Sequence, residues 1–475
     1  MADRRIINGM GPFFEEKNVR AFGRSLHGEF IRPGDTSYDR ARRVWNGMID
    51  RHPAMIVYCR DADDVIKSLH FARSNGLLIA VRSGGHNIAG NSVCDGGVVI
   101  DLSRMKGIEV DAASRTARAQ AGLNWGEFDR ATQSHGLATT GGIVSRTGFA
   151  GLTLGGGIGW LMRKFGVTCD NLLSVNIVTA DGKLLTASAG ENQDLFWGAR
   201  GGGGNFGIAT EFQCRLHKVG PVLAGTVYYS AAKTHEILRF YRDYIADIPD
   251  ELTTMFAYIS ASPTPYLHKL LHGSPVVAIH VCYTGRIEAG EEVVKPLRVL
   301  GPPLEDAVRI MPYVALQSML DAGSPPGLRN YWKSTYLKSL SDEAIGVLTA
   351  YCEDITSPMS QVHLQHMEGA VRRVGEEEMA FSHRDALCVL NIVTKWEDPQ
   401  ESEKHLKWTR ELEAAMRPFS TGGVYVNFLG EEGEDRVRAA YSPSKYDRLV
   451  ALKNKYDPSN VFRLNQNIKP TVTAP

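Results

Sequence analysis

The sequence predicts an α+β protein of two domains, and three observations carry that reading. Its 475 residues exceed the roughly 250–300 at which a single hydrophobic core stops growing. Its 48 glycines are clustered, mostly before about Lys218, where short apolar runs break into small-residue turns. After Lys218 glycine thins, and long helical patterns such as Thr234 to Asp247 mix with strand-like runs such as Val276 to Tyr283 and Leu387 to Val393. Helices packed on one face of an antiparallel sheet explain alternating stretches such as Gln361-Val362-His363-Leu364-Gln365-His366.

Composition removes several function classes. Lys+Arg and Asp+Glu both number 53, so nothing favours nucleic acid, an acidic substrate or an anionic membrane. The seven cysteines are odd in number, widely spaced and free of any C-x-x-C. They read as reduced, buried thiols, with no disulfide framework and no metal site. Met1-Ala2-Asp3-Arg4-Arg5 leads into no apolar segment, and no run approaches a membrane span, so a cytoplasmic protein without a membrane partner is expected.

Taken in order, residues 1 to about 50 read as a surface lead-in. Pro53 to Arg60 is a predicted strand, and Asp61-Ala62-Asp63-Asp64 caps a helix that ends at Gly76. The apolar run Leu77 to Val81 is short enough for a buried strand. It breaks into Arg82-Ser83-Gly84-Gly85-His86-Asn87-Ile88-Ala89-Gly90, a turn whose converging backbone N–H groups suit a pyrophosphate and from which one imidazole, His86, emerges. Gly97 to Leu102 is another buried strand, and Asn124 to His135 is a helix closed by Gly136.

Residues 140–160 hold eight glycines interleaved with Ile, Val, Phe and Leu. A linker would lack those apolar residues, so an ordered path pressed against a large flat ligand is expected in place of an ordinary helix. Ser174 to Thr186 is a hairpin around Asp181-Gly182. Gly202, Gly204 and Gly207 match G-x-G-x-x-G. That fingerprint needs a strand before it and a helix after it, whereas a helical turn precedes here and strand alternation from Ile208 to Cys214 follows, so a Rossmann site is excluded. Pro443 to Tyr456 is helical. The chain closes on Tyr456-Asp457-Pro458-Ser459-Asn460-Val461-Phe462-Arg463-Leu464-Asn465-Gln466-Asn467-Ile468.

Arg82 to His86, Gly155-Gly156-Gly157-x-Gly159, Gly201 to Gly207 and the closing motif together resemble the FAD-linked oxidases of the vanillyl-alcohol-oxidase and p-cresol-methylhydroxylase (PCMH) superfamily. The resemblance is nearest its berberine-bridge-like and 6-hydroxynicotine-oxidase-like branch. It implies a two-subdomain PCMH-type FAD-binding domain from residues 1–218 with 431–475, and an antiparallel-sheet substrate domain backed by helices over 219–430. It also implies FAD bonded covalently to His86 through the flavin 8α carbon. Many relatives carry a second, cysteinyl link. Alignment of Gly148 to Gly159 puts Val144 at that position, so one covalent bond and a more closed site are expected.

Cofactor contacts are expected at Arg82, Ser83, Gly84, Gly85, His86, Asn87 and Gly90 of the first turn, and at Gly142, Thr147, Gly148, Gly151 and Gly157 of the second. Gly207, Ile208, Asn427, Asn465 and Asn467 complete the set. Tyr425-Val426-Asn427 reads as a strand that puts Tyr425 and Asn427 on one face, where the family has an aromatic-x-Asn facing the flavin. His363 and His366 fall on opposite faces of a strand and cannot share a metal. His363 is the expected cavity-facing one, and with Tyr425 the catalytic candidate. His383-Arg384 matches a family pair of structural character, and Tyr258 and Tyr336 are weaker candidates. The expected activity is oxidation of a small alcohol, amine or phenolic, polyketide-like molecule, with O2 as acceptor giving H2O2. The alternatives are an oxygenase tailoring a secondary metabolite and a flavin-binding protein without turnover.

Overall fold

The computed structural model describes residues 15–261 and 268–472. Strands β1 (Glu29–Ile31), β2 (Met55–Tyr58), β3 (Ile79–Arg82) and β4 (Val98–Asp101) form a sheet in the order β1-β2-β4-β3. β2 and β3 both run parallel to β4. Parallel pairing needs a crossover, and the helix Ala62–Ser74 supplies it between β2 and β3. The Asp61 carboxylate caps that helix by accepting the Asp64 N–H at 3.0 Å, and Val65, Leu69 and Ala72 bury its inner face.

An antiparallel sheet follows, built from β5 (Ile108–Asp111), β6 (Thr116–Gln120), β7 (Leu172–Val178), β8 (Leu184–Ser188) and β9 (Ile208–Arg215) in the order β5-β6-β9-β7-β8. The β7–β8 hairpin closes where foreseen, with Gly182 at φ +85°. Both sheets share one hydrophobic core around Trp125, Phe128, Phe149 and Phe212. Leu449, Leu452, Phe462 and Ile468 from the end of the chain join it. The closing motif is anchored by Lys453, whose buried ammonium meets Asp457 at 2.7 Å and the carbonyls of Asn205 and Phe462.

A large antiparallel sheet carries β10 (Val222–Ser230), β11 (Leu252–Ser260), β12 (Pro275–Tyr283), β13 (Arg329–Leu337), β14 (Gln361–His366) and β15 (Cys388–Trp396) in the order β10-β12-β11-β14-β15-β13. Val362 and Leu364 of β14 enter a second core with the helices Thr234–Ile245, Ile287–Val299, Asp342–Glu353 and Ser402–Met416. Alternation then directs Gln361, His363 and Gln365 to the opposite face. No described helix is long and apolar enough to cross a membrane.

Candidate active site

That opposite face roofs a cavity of about 760 Å³, towards the upper end of the roughly 300–1,000 Å³ that small-molecule sites span. Its floor comes from residues 83–87, 142–152, 202–209, 425–428 and 462–466. Ser83, Gly84, Gly85, His86, Asn87, Gly142, Thr147, Gly148, Gly151, Gly207, Ile208, Asn427 and Asn465 all line it, as do Tyr425 and His363.

The first turn is a cradle of donors. Gly85 takes φ +68°, and the N–H groups of Gly84, Gly85, His86 and Asn87 find no acceptor among the described residues. Consecutive unpaired amides of this kind form a concavity for an anion. The Ser83 hydroxyl ties the turn down by donating to the Ala121 carbonyl at 2.6 Å. A Cβ built on Gly151 or Gly204 meets no protein atom within 4 Å, so these glycines leave room for a ligand against bare backbone. The buried amide oxygen of Asn465, which lines the cavity, has no partner among the described residues. Unpaired backbone donors, open glycines and an unsatisfied amide together fit an extended dinucleotide such as FAD.

Four expected cofactor contacts lie elsewhere. Arg82 is turned away because β3 pairs in register with β4. Its guanidinium meets Asp101 at 2.6 Å and donates to the Ala41 carbonyl, bracing the cradle from behind. Gly90, at φ +74°, packs on Ile49 at the end of the loop. Gly157 is enclosed by Thr168 and Leu152, and its N–H is spent on Tyr425. Asn467 does not reach the cavity wall.

His86 stands at the cradle's end. Its ring stacks on Trp45 with centroids 5.1 Å apart and planes at 16°, and no hydrogen bond from a described residue reaches its nitrogens. Burial, with the nearby Arg146 charge, lowers its pKa to about 4, so the imidazole is neutral at physiological pH with a free lone pair. Trp45 in turn is held by three hydrogen bonds. Its N–H donates to Gly85 O, its indole N–H donates to Ser324 O at 3.1 Å, and its carbonyl accepts from Gly327. Asn46 donates to both Ile88 O and Asn330 O at 2.9 Å. Because this segment aligns the His86 ring, Trp45→Ala is expected to lower stability by ~3 kcal/mol. Trp45→Phe, which keeps a stacking face, should lose less. Melting curves check both.

Tyr425 and Asn427 do meet, but not on a strand: residues 426–428 form a single 3-10 turn. Asn427 folds back so that its amide donates to the Tyr425 oxygen at 2.8 Å, and the Gly157 N–H donates to the same oxygen at 2.9 Å. With both acceptor positions filled, the phenol's own hydrogen is the group left to offer the cavity. Burial holds its pKa above the ordinary tyrosine value, so it remains a donor.

Opposite lies a polar row that sequence reading reached only at His363. Strand register places Thr226 beside His280, Met255 beside Gln365, and His363 beside Asn391. His363 Nε2 lies 3.0 Å from Gln361 Oε1, which only accepts, so Nε2 carries the hydrogen and Nδ1 keeps its lone pair. Burial, with Lys395 and His280 nearby, pushes the His363 pKa down to about 3. The polar–apolar alternation of β14 was the available signal for Gln361 and Gln365. Nothing local marked His280 or Asn391.

The other candidates are structural. Tyr258 packs in the helix-covered core. Tyr336 stacks on His383, which reaches the Ala439 carbonyl, and Arg384 pairs with Asp170 at 2.6 Å. His366 lies behind the sheet against Arg163 and Glu368. The 140–160 path is not helix-free, for Phe149–Leu154 form a short helix bounded by Gly148 and Gly155. None of the seven cysteines lines the cavity, while Val144 does.

Two family models match the chain: "FAD binding domain" over residues 53–188, and "Berberine and berberine like" over residues 424–469. An FAD-linked oxidoreductase of Dictyostelium discoideum is 33% identical over 95% of this chain and 97% of its own length. The (R)-6-hydroxynicotine oxidase of Paenarthrobacter nicotinovorans is 33% identical, over 94% and 97%. Among solved structures, 6-hydroxy-D-nicotine oxidase of Arthrobacter nicotinovorans superposes with a TM-score of 0.82 at 29% identity, covering 94% of this chain and 98% of that one. A berberine-bridge-like protein of Physcomitrella patens gives 0.84 at 25% identity, over 94% and 97%.

Proposed function

The chain belongs to the berberine-like family of FAD-linked oxidoreductases, and we propose that within it this protein is an oxidase carrying FAD covalently on His86. The observation that carries the proposal is one continuous cavity, running from the unpaired amides of residues 84–87 past His86 and Tyr425 to His363. The neutral, unbonded His86 ring supports attachment at the 8α carbon. A cavity wall without cysteine among its described residues supports a single bond. The amides of residues 84–87 would hold the pyrophosphate, and Asn427 and Asn465 would meet flavin or phosphate edges.

Bound FAD supplies a two-electron acceptor that takes hydride and is reoxidised by O2 to give H2O2. The protein's part is to orient a C–H bond and manage one proton. Tyr425 donates a hydrogen bond from its phenol to the substrate heteroatom, and neutral His363 accepts a hydrogen bond from the substrate O–H or N–H at Nδ1, lining up the proton that leaves as the C–H hydride departs. The substrate thereby loses two electrons and two protons, and H2O2 carries both away. The substrate is a small alcohol, amine or phenolic molecule.

Peroxide formed per substrate oxidised tests this. One-to-one stoichiometry is expected, and labelled oxygen from O2 appearing in the product would replace the oxidase with an oxygenase. A flavin that no substrate bleaches anaerobically would mark a protein without turnover. Tyr425→Phe removes one donor aimed at the reacting atom, so kcat/KM should fall about 10²-fold with the flavin still bound. Stopped-flow reduction checks it.

A further inference from the structure

Six positively charged side chains are buried among the described residues: Arg82, Arg163, Arg384, Lys395, Lys445 and Lys453. Five have a carboxylate. Arg82 meets Asp101 at 2.6 Å, Arg163 meets Glu368 at 3.9 Å, Arg384 meets Asp170 at 2.6 Å, Lys445 meets Glu376 at 2.9 Å and Lys453 meets Asp457 at 2.7 Å. Lys395, 2% exposed, has no carboxylate within ion-pair distance and donates only to the Gly323 carbonyl, at 2.6 Å. A buried charge without a counter-ion is costly, and this fold neutralises every other one.

Its position shows what is missing. Lys395 lies on β15 at two- and four-residue spacing from Val393 and Asn391, both of which line the cavity, and Gly323 is itself part of the wall. Gln361 adjoins Gly323, and Gln361 is bonded to His363. No aspartate or glutamate lines the cavity among the described residues. The substrate half of the site therefore has a positive charge behind its wall and no carboxylate to pair with an ammonium group.

We infer that Lys395 supplies the charge of an anion subsite beside Gly323, Gln361 and His363, and that the substrate carries an oxyanion, as a carboxylate or a phenolate. This rests on the oxidase reading only in treating that end of the cavity as the substrate's. Burial lowers the Lys395 pKa to about 8, so the ammonium form still dominates at pH 7, and a bound anion would favour it further.

The test is calorimetric titration of the holoenzyme at pH 7.5 with benzoate, 4-nitrophenolate, benzyl alcohol and benzylammonium. At least one anion should bind tenfold or more tightly than benzylammonium, and which anion leads tells carboxylate from phenolate. Lys395→Met should abolish the preference while leaving the melting temperature unchanged or higher, because it removes an unpaired buried charge. A structural lysine would instead lose stability and keep the preference. Asn391→Asp, which puts a carboxylate on the wall, should turn the preference toward benzylammonium and serves if Lys395→Met does not fold. Equal or tighter binding of benzylammonium by the native protein, or binding of none of the four, overturns the inference. An enzyme that oxidises alcohols without anion preference keeps the oxidase reading and loses this one, and a protein that binds benzoate but is reduced by nothing does the reverse.

Discussion

Gly84→Ala is expected to give a colourless protein. A Cβ on Gly84 would sit 2.5 Å from both the N and the Cα of Gly148, and one on Gly148 would sit 2.5 Å from the Gly84 N. All of these are backbone atoms, so no side chain can rotate away and the two turns must separate. Both turns line the cavity, and separating them shifts the unpaired amides of residues 84–87 relative to the second turn. A loss of ~2.7 kcal/mol in cofactor binding, about a hundredfold, is the expected minimum. The ratio of flavin to protein absorbance after gel filtration reads it directly. Gly346→Ala is the control, since a Cβ there meets nothing within 4 Å and the helix Asp342–Glu353 gains from losing a glycine. Normal loading of the Gly84 variant would show that the contact between the two turns yields easily.

His86→Ala should keep the fold and lose the proposed tether. The ring stacks on Trp45 and makes no hydrogen bond to a described residue, so little tertiary structure depends on it. Acid-precipitated variant should come down colourless with FAD in the supernatant, where the native protein should precipitate yellow. Its turnover should fall about tenfold, ~1.4 kcal/mol in barrier. The proposed attachment reaction would carry a pH signature. Attack needs the neutral ring, and a pKa lowered from 6.5 to about 4 means that the fraction of neutral ring barely changes from pH 8 to about 5 and drops as pH falls through about 4. Flavin added to apoprotein at a series of pH values, followed by in-gel fluorescence, measures this. A midpoint near 6.5 would mean that the ring is solvated and not enclosed.

The floor of the site was legible because its signals are local. Four consecutive amides are left unpaired where Gly84 and Gly85 adjoin in the chain, and the Asp-Gly hairpin and the Asp61 helix cap are likewise settled within a few residues. The Rossmann match failed for the same local reason: Ile208 opens the strand β9, and no helix follows the glycines. Tyr425 and Asn427 were paired correctly on the wrong geometry, since the amide folds back in a 3-10 turn.

By itself, then, the chain determined the family, the α+β class, the glycine cradle with its single imidazole, and the strand that points His363 inward. Only the tertiary structure decided that Arg82 would turn to Asp101, that Trp45 would back His86, that His280 and Asn391 would join the roof, and that Lys395 would be buried without a carboxylate. The reason lies in how each is specified. Turns, caps and alternation depend on neighbours a few residues away, whereas strand register, burial and ion pairing depend on which distant segments the two cores bring together.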